Sequence, residues 1–141
     1  MTKEDIWNDT ISILAETDYP SDNPSINDVY LAYHYYSELE SGGHEAFLTW
    51  FSEQMEQTGP TTFFQNLKHS LTKINAKPYA KIIDTYGEAL WQAFTALEKE
   101  EIEEDEFYNI IEKADTEYYQ LNGKLEQNLE DYFIANHPKL I

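Results

Sequence analysis

Carboxylates at helical spacing are the residues of this chain best placed to do chemistry, and that chemistry is electrostatic. Glu38, Glu40 and Glu45 bracket a Gly42-Gly43 pair, and Glu53 is followed three residues later by Glu56. The run from Glu98 to Glu106 holds Glu100, Glu101, Glu103, Glu104 and Asp105 among its seven acids. Acids at i, i+3 and i+4 of a helix have Cβ atoms about 5–6 Å apart. Rows of this kind approximate the charge spacing of a duplex strand, one phosphate per ~3.4 Å of axis. They would present it to a surface rich in lysine and arginine, the groups that grip phosphates. The blander reading of any one cluster is a solvated face. For the Glu98–Glu106 run the expected form is an exposed connection between helices, because like charges at i, i+4 destabilise a helix. Its last acids would then begin the next helix, where they suit the dipole.

Other reactive side chains lead to weaker chemistry. His44 follows the two glycines and precedes Glu45, as a general base could. No GxSxG turn, cysteine nucleophile or phosphate-binding loop accompanies it. It reads instead as a partly buried ring that ties the turn to the core. His34 and Glu38 lie one turn apart and could touch a metal, but no HExxH or repeated Glu-x-x-His pair completes a site. We therefore expect no catalytic residue, no metal and no cofactor. His69 and His137 look incidental. Lys68, Lys73, Lys77 and Lys81 form the one basic stretch, which could meet an acidic face of a second copy or simply be solvated.

The charge balance sharpens this expectation. Twenty-seven Asp and Glu stand against nine lysines and no arginine, for a formal charge of −18. No lysine occurs between Lys3 and Lys68. Solubility of a small domain needs a net magnitude of only about 2–8. A field this negative repels nucleic acid and anionic membrane and steers cationic partners inward. Seven Phe, three Trp and eleven Tyr supply a core that disordered acidic chains lack. No cysteine is present, the first residues form no apolar leader, and no run approaches the ~20 apolar residues of a membrane span. A cytoplasmic, non-membrane protein is expected.

Helical periodicity dominates the elements that would position these residues, and the pattern predicts one all-α domain of about seven helices over residues 1–141. Thr2 and Asp5 read as a capped start, followed by a stripe of Trp7, Ile11 and Leu14. Ser25 and Asp28 repeat the capping pattern after Pro20 and Pro24. Ile26, Val29, Tyr30, Tyr33 and Tyr36 line the second helix, which Ser41-Gly42-Gly43 breaks. A third turns Phe47, Trp50 and Phe51 inward. Gly59-Pro60 ends it, and Thr61 or Thr62 can cap a fourth with Phe64, Leu67, Leu71 and Ile74. From Lys77-Pro78, a fifth carries Tyr79, Ile83, Tyr86, Leu90, Phe94 and Leu97, with Gly87 marking a close crossing. Phe107, Ile110, Ile111, Ala114, Tyr118 and Leu121 make a sixth. After Asn122-Gly123 a last helix faces Leu125, Leu129, Tyr132 and Phe133 inward until His137-Pro138 stops it. The tyrosine stripe is either core or the seal of a homodimer, since aromatics are enriched at interfaces.

The segment Glu40-Ser-Gly-Gly-His-Glu-Ala-Phe47, with Gly42, Gly43, His44 and Phe47 at its key positions, resembles the Gly-Gly-centred signature of a bacterial domain-of-unknown-function family. That family includes acidic DNA-mimic proteins. Tyr118-Tyr119-Gln-Leu121 and the helix from Leu125 to Asn136 resemble its C-terminal pattern, so the likeness spans about residues 25–136. Ser41 and Leu48 stand where Asn and a second aromatic are frequent. The resemblance implies an all-α, often dimeric fold without known catalytic residues. In the characterised kind of member, surface carboxylates stand in for phosphates and occupy a DNA-binding protein. The function expected is thus a non-enzymatic acidic protein bound to a basic DNA-binding protein such as a transcription regulator. The alternative is an immunity protein that blocks the cationic cleft of a toxin or nuclease. A third class, an enzyme with an unrecognised acid-lined site, stays open.

Overall fold

The computed structural model describes residues 1–140 and contains six α-helices, with no strand among those residues. They are α1 (Lys3–Glu16), α2 (Pro24–Thr58), α3 (Pro60–Lys73), α4 (Lys77–Glu98), α5 (Glu104–Gln120) and α6 (Lys124–Leu140). All seven expected stripes are present: the two flanking Gly42-Gly43 are counted together as α2, which consists of two helical limbs joined by a kink at that pair. The backbone there is non-helical, with φ −162° and ψ 24° at Gly42 and φ 71° and ψ −163° at Gly43.

Helix starts follow local chemistry. Thr2 and Asp5 form a reciprocal capping box at α1, each side chain accepting the other's backbone N–H at 3.0 Å. At α2 the cap is Asn23 rather than Ser25. Proline suits the first helical position because it has no N–H to satisfy, so Pro24 takes that place and the cap moves back two residues. The Asn23 Oδ1 accepts the N–H groups of Ser25 and Ile26 at 2.9 and 3.3 Å. Pro60 does the same at α3, where neither Thr61 nor Thr62 caps; Thr61 instead donates to Glu88 at 2.6 Å. The expected stop at His137-Pro138 is also corrected. α6 carries Pro138 inside its last turn and runs on to Leu140, whose buried side chain and a 2.8 Å hydrogen bond from Asn23 Nδ2 to the Lys139 carbonyl hold the end.

α2 touches each of the other five helices, α3 to α5 pack in sequence order, and α1 lies chiefly on α6. One hydrophobic core joins all six, with Leu14, Tyr35, Leu39, Phe47, Leu67, Leu90, Phe107 and Phe133 fully or almost fully buried. Phe47 and Phe51 face in as expected. Trp50 does not: it is 60% exposed, because it projects from the side of α2 between the two phenylalanines' turns. At Gly87 an added Cβ would come within 3.1 Å of the Phe64 ring, so the close crossing is that of α3 over α4. No helix among the described residues is long and apolar enough to cross a membrane.

Two hydroxyls knit helices together through backbone groups. Tyr79 Oη accepts the N–H of Leu125, one of the donors that the start of α6 leaves free. Ser70 of α3 donates to the Asp28 carbonyl at 2.8 Å and accepts the Ala32 N–H at 3.0 Å, bridging one turn of α2. Replacing Ser70 by alanine removes both bonds from a buried position. We expect Ser70→Ala to destabilise the protein by about 1 kcal/mol, read from the midpoint of urea unfolding. An unchanged midpoint would show that the bridge contributes nothing.

Candidate functional site

The bend in α2 is fixed by a chain of buried polar contacts. Gly43 turns the backbone into a conformation that side chains resist, and His44 opens the second limb. The His44 backbone N–H donates to Asp115 Oδ1 on α5 at 2.9 Å, and its Nδ1–H donates to the same oxygen at 2.6 Å. A carboxylate only accepts, so Nδ1 carries the proton and Nε2 is left as an acceptor. The Tyr35 hydroxyl fills that role at 2.8 Å. Complete burial pushes the Tyr35 phenol well above its ordinary value, so it remains a donor. Carboxylate, imidazole and hydroxyl in series are the parts of an activated nucleophile. Here Tyr35 and His44 are both fully enclosed, so no substrate atom reaches them and the relay serves to hold the bend.

That clasp lays α5 along the bend and gathers acids from distant parts of the sequence. Glu104, Tyr108, Asp115 and Tyr119 recur on one face of α5 at helical period. Tyr108 donates to Glu45 Oε2 at 2.7 Å, joining the second turn of α5 to the second limb of α2. Its phenol pKa is raised, first by that hydrogen bond and the Glu45 charge and less by Glu104. At the other end of the face, burial, then Asp115 and Glu40, raise Tyr119. The result is a ridge with Glu40 and Tyr119 at one end, Asp115 in the middle, and Glu45, Tyr108 and Glu104 at the other. Tyr108 and Tyr119 are 44% and 55% exposed, so the ridge alternates carboxylates with rings. From Glu104 to Asp115 it extends about 16 Å at 1.5 Å per residue.

The remaining acids lie elsewhere. Glu38 is half-buried, and desolvation raises its carboxyl pKa, unlike a fully solvated phosphate surrogate. Glu53 and Glu56 are exposed near the end of α2, about 15–20 Å along the axis from Gly43. Glu100, Glu101 and Glu103 occupy the exposed turn between α4 and α5, as the run of like charges leads one to expect, and Glu104 and Asp105 stand in the first turn of α5. Glu40 also raises the nearby Tyr118, whose phenol is shifted upward chiefly by burial. Tyr118 Oη is buried and has no hydrogen-bond partner among the described residues.

His34 is buried and its Nε2 contacts the Leu14 carbonyl at 3.3 Å; desolvation lowers its pKa despite that hydrogen bond. It is packed among the rings of Tyr30, Tyr33, Trp50 and Phe51. Among the described residues no group of three or more His, Cys, Asp or Glu is arranged to hold one. Lys68 pairs with Asp84 at 2.9 Å and Lys73 lies 4.0 Å from Asp28, both on the protein's own surface. Sequence reasoning found Glu40, Glu45, Glu104 and the Gly-Gly-His turn, but missed Asp115, Tyr108 and Tyr119. Asp115 sits at the edge of the α5 apolar stripe, beside Ala114, and that position was its one signal. Its partner is 71 residues away in sequence.

A family model described as DMP19-like protein matches residues 22–137. No curated protein and no solved structure matches the chain.

The clasp makes Gly43 unlike the other glycines. Gly123 also has positive φ (72°), but an added Cβ there meets nothing within 4 Å. At Gly43 it would lie 2.6 Å from Asp115 Oδ2, in addition to the backbone cost. Gly123→Ala should cost about 1 kcal/mol, as a left-handed residue does, and Gly43→Ala about 2–3 kcal/mol. Thermal unfolding of the two variants side by side checks the order; equal losses would mean that Asp115 yields freely.

Proposed function

We propose that this chain, which belongs to the DMP19-like protein family, is a non-enzymatic DNA mimic that occupies the basic surface of a DNA-binding protein such as a transcription regulator. The observation that carries this reading is the ridge. Carboxylates from both limbs of α2 and from α5 are collected on one face, and two of them are held by hydrogen bonds, Glu45 to Tyr108 and Asp115 to His44. A mobile acidic tail attracts any cation; a braced row can select a surface by shape. The whole chain carries only nine lysines and no arginine, so little of its own charge competes for these acids. The same field disfavours direct binding of nucleic acid or anionic membrane. A cytoplasmic site of action, where such targets reside, belongs to this proposal, as does a homodimer that would extend the ridge.

Opposed charges of this kind set the encounter rate more than the final packing. Neutralising Glu40, Glu45 and Glu104 together to Gln should slow association with the target about tenfold. Glu4, Glu16 and Asp131 lie on α1 and α6, away from α5, and the matching triple change there should leave the rate nearly unaltered. The target, captured from the native lysate on the wild-type chain, is expected to be a DNA-binding protein. It should be released by its own duplex and by salt, since the screening length falls to about 3 Å at 1 M. Surface plasmon resonance measures all of these. A complex indifferent to salt, to saturating duplex and to the ridge substitutions would overturn the proposal.

A further inference from the structure

Trp50 is the most exposed of the tryptophan, tyrosine and phenylalanine rings among the described residues, and it borders a groove of about 630 Å³, within the usual ligand-pocket range of ~300–1,000 Å³. Tyr19 and Pro20, from the segment between α1 and α2, form one wall. Trp50 and Glu53 of α2 form the other, and Asn66 of α3 closes an end. The walls are braced from behind. Tyr19 stacks on Tyr30 at 4.8 Å, Tyr30 meets His34 at 4.4 Å, and Trp50 lies nearly parallel to His34 at 6.3 Å and 15°. The indole therefore runs nearly parallel to a buried ring while most of its own surface is open to solvent. Glu53 lies one turn from Trp50 on the same helix, forms no ion pair among the described residues, and accepts only a 3.3 Å hydrogen bond from Gln57.

We propose that this groove receives an arginine side chain from an extended segment of the basic partner protein, the guanidinium stacking on Trp50 and pairing with Glu53. The inference rests on the reading of the chain as a ligand for a basic protein, and it adds a second, shape-reading contact remote from the ridge. An aromatic face attracts a cation through its quadrupole, most strongly for tryptophan. Arginine fits better than lysine because its planar fork can stack and still present paired N–H groups to a carboxylate. Charge selects among the other occupants. A nucleobase could stack on Trp50, but its phosphates would meet Glu53 and Glu56. A second copy of this chain has no arginine to offer.

The test uses the intact protein and a short glycine–serine peptide carrying two arginines, with the same peptide carrying citrulline as its neutral counterpart. At about 0.15 M salt, the arginine peptide should shift the Trp50 indole N–H signal in a nitrogen-15 NMR titration and the citrulline peptide should not. Trp50→Ala and, separately, Glu53→Gln should each weaken the peptide about two- to fivefold. Glu53→Gln alters a surface side chain and keeps the fold testable if the tryptophan variant does not express. Asp131→Asn, on α6 and outside both groove and ridge, should leave peptide binding unchanged. Equal binding of the two peptides, indifference to Glu53→Gln, or self-association that depends on Trp50 would each overturn the groove. The ridge is judged separately: a full partner that ignores the Glu40, Glu45 and Glu104 substitutions while the peptide still seeks Trp50 would sink the ridge and spare the groove.

Discussion

A single carboxylate oxygen governs the shape of this molecule. Asp115 Oδ1 accepts both the backbone N–H and the ring N–H of His44, so it fixes where the second limb of α2 begins and which way its first side chain points. Remove it, and a buried imidazole and a buried backbone donor lose their partner at once. Charge-assisted bonds are roughly twice as strong as neutral ones, and an orphaned buried donor costs about 1–3 kcal/mol. The glycine, the histidine and Tyr35 make sense only together. Gly43 leaves the space for the carboxylate, His44 bridges it, and Tyr35 completes the proton chain inside the core. Because the same contact aligns α5 with α2, the placement of the ridge acids is a by-product of how the core is closed.

A strongly negative surface has to be offset by the interior. The ion pairs with lysine join Lys68 and Lys73 of α3 to Asp84 of α4 and Asp28 of α2 at the surface, and exposed pairs contribute only about 0–1 kcal/mol. Burial therefore carries the fold. Tyr35, Phe47, Phe63 and Tyr79 form connected edge-to-face and tilted ring contacts, with Tyr118 bridging Tyr35 and Tyr79. Aromatic pairs add about 0.5–1.5 kcal/mol each beyond the area they bury. The high aromatic content and the excess of acids are thus two sides of one balance: a dense core holds like charges closer together than they would settle by themselves.

The helices and their order were legible in the sequence because apolar spacing, glycine pairs and capping residues are local signals. Gly42-Gly43 marked the bend and Gly87 marked the crossing with Phe64. Where local rules competed, the written pattern erred. Pro24 and Pro60 moved the caps, and the docking of Lys139 and Leu140 carried α6 through Pro138. Trp50 was assigned inward because hydrophobicity says that a ring prefers burial but not which face has room. The candidate site was half legible. Its acids could be counted, but which of them share a face depended on Asp115 meeting His44, a pairing between remote segments that no periodicity encodes.

The packing of α1 on α6 has a consequence for how the fold is assembled. The α2–α3, α3–α4 and α4–α5 pairs join adjacent segments, contacts that cost little chain entropy. α1 must wait for the helix at the other end of the chain, closing the longest loop in the domain. Until then its stripe has only a limited hold on α2, and Trp7 lacks the Phe133 ring that lies 5.2 Å away in the finished structure. The first helix of this domain is thus the one whose seat is completed last.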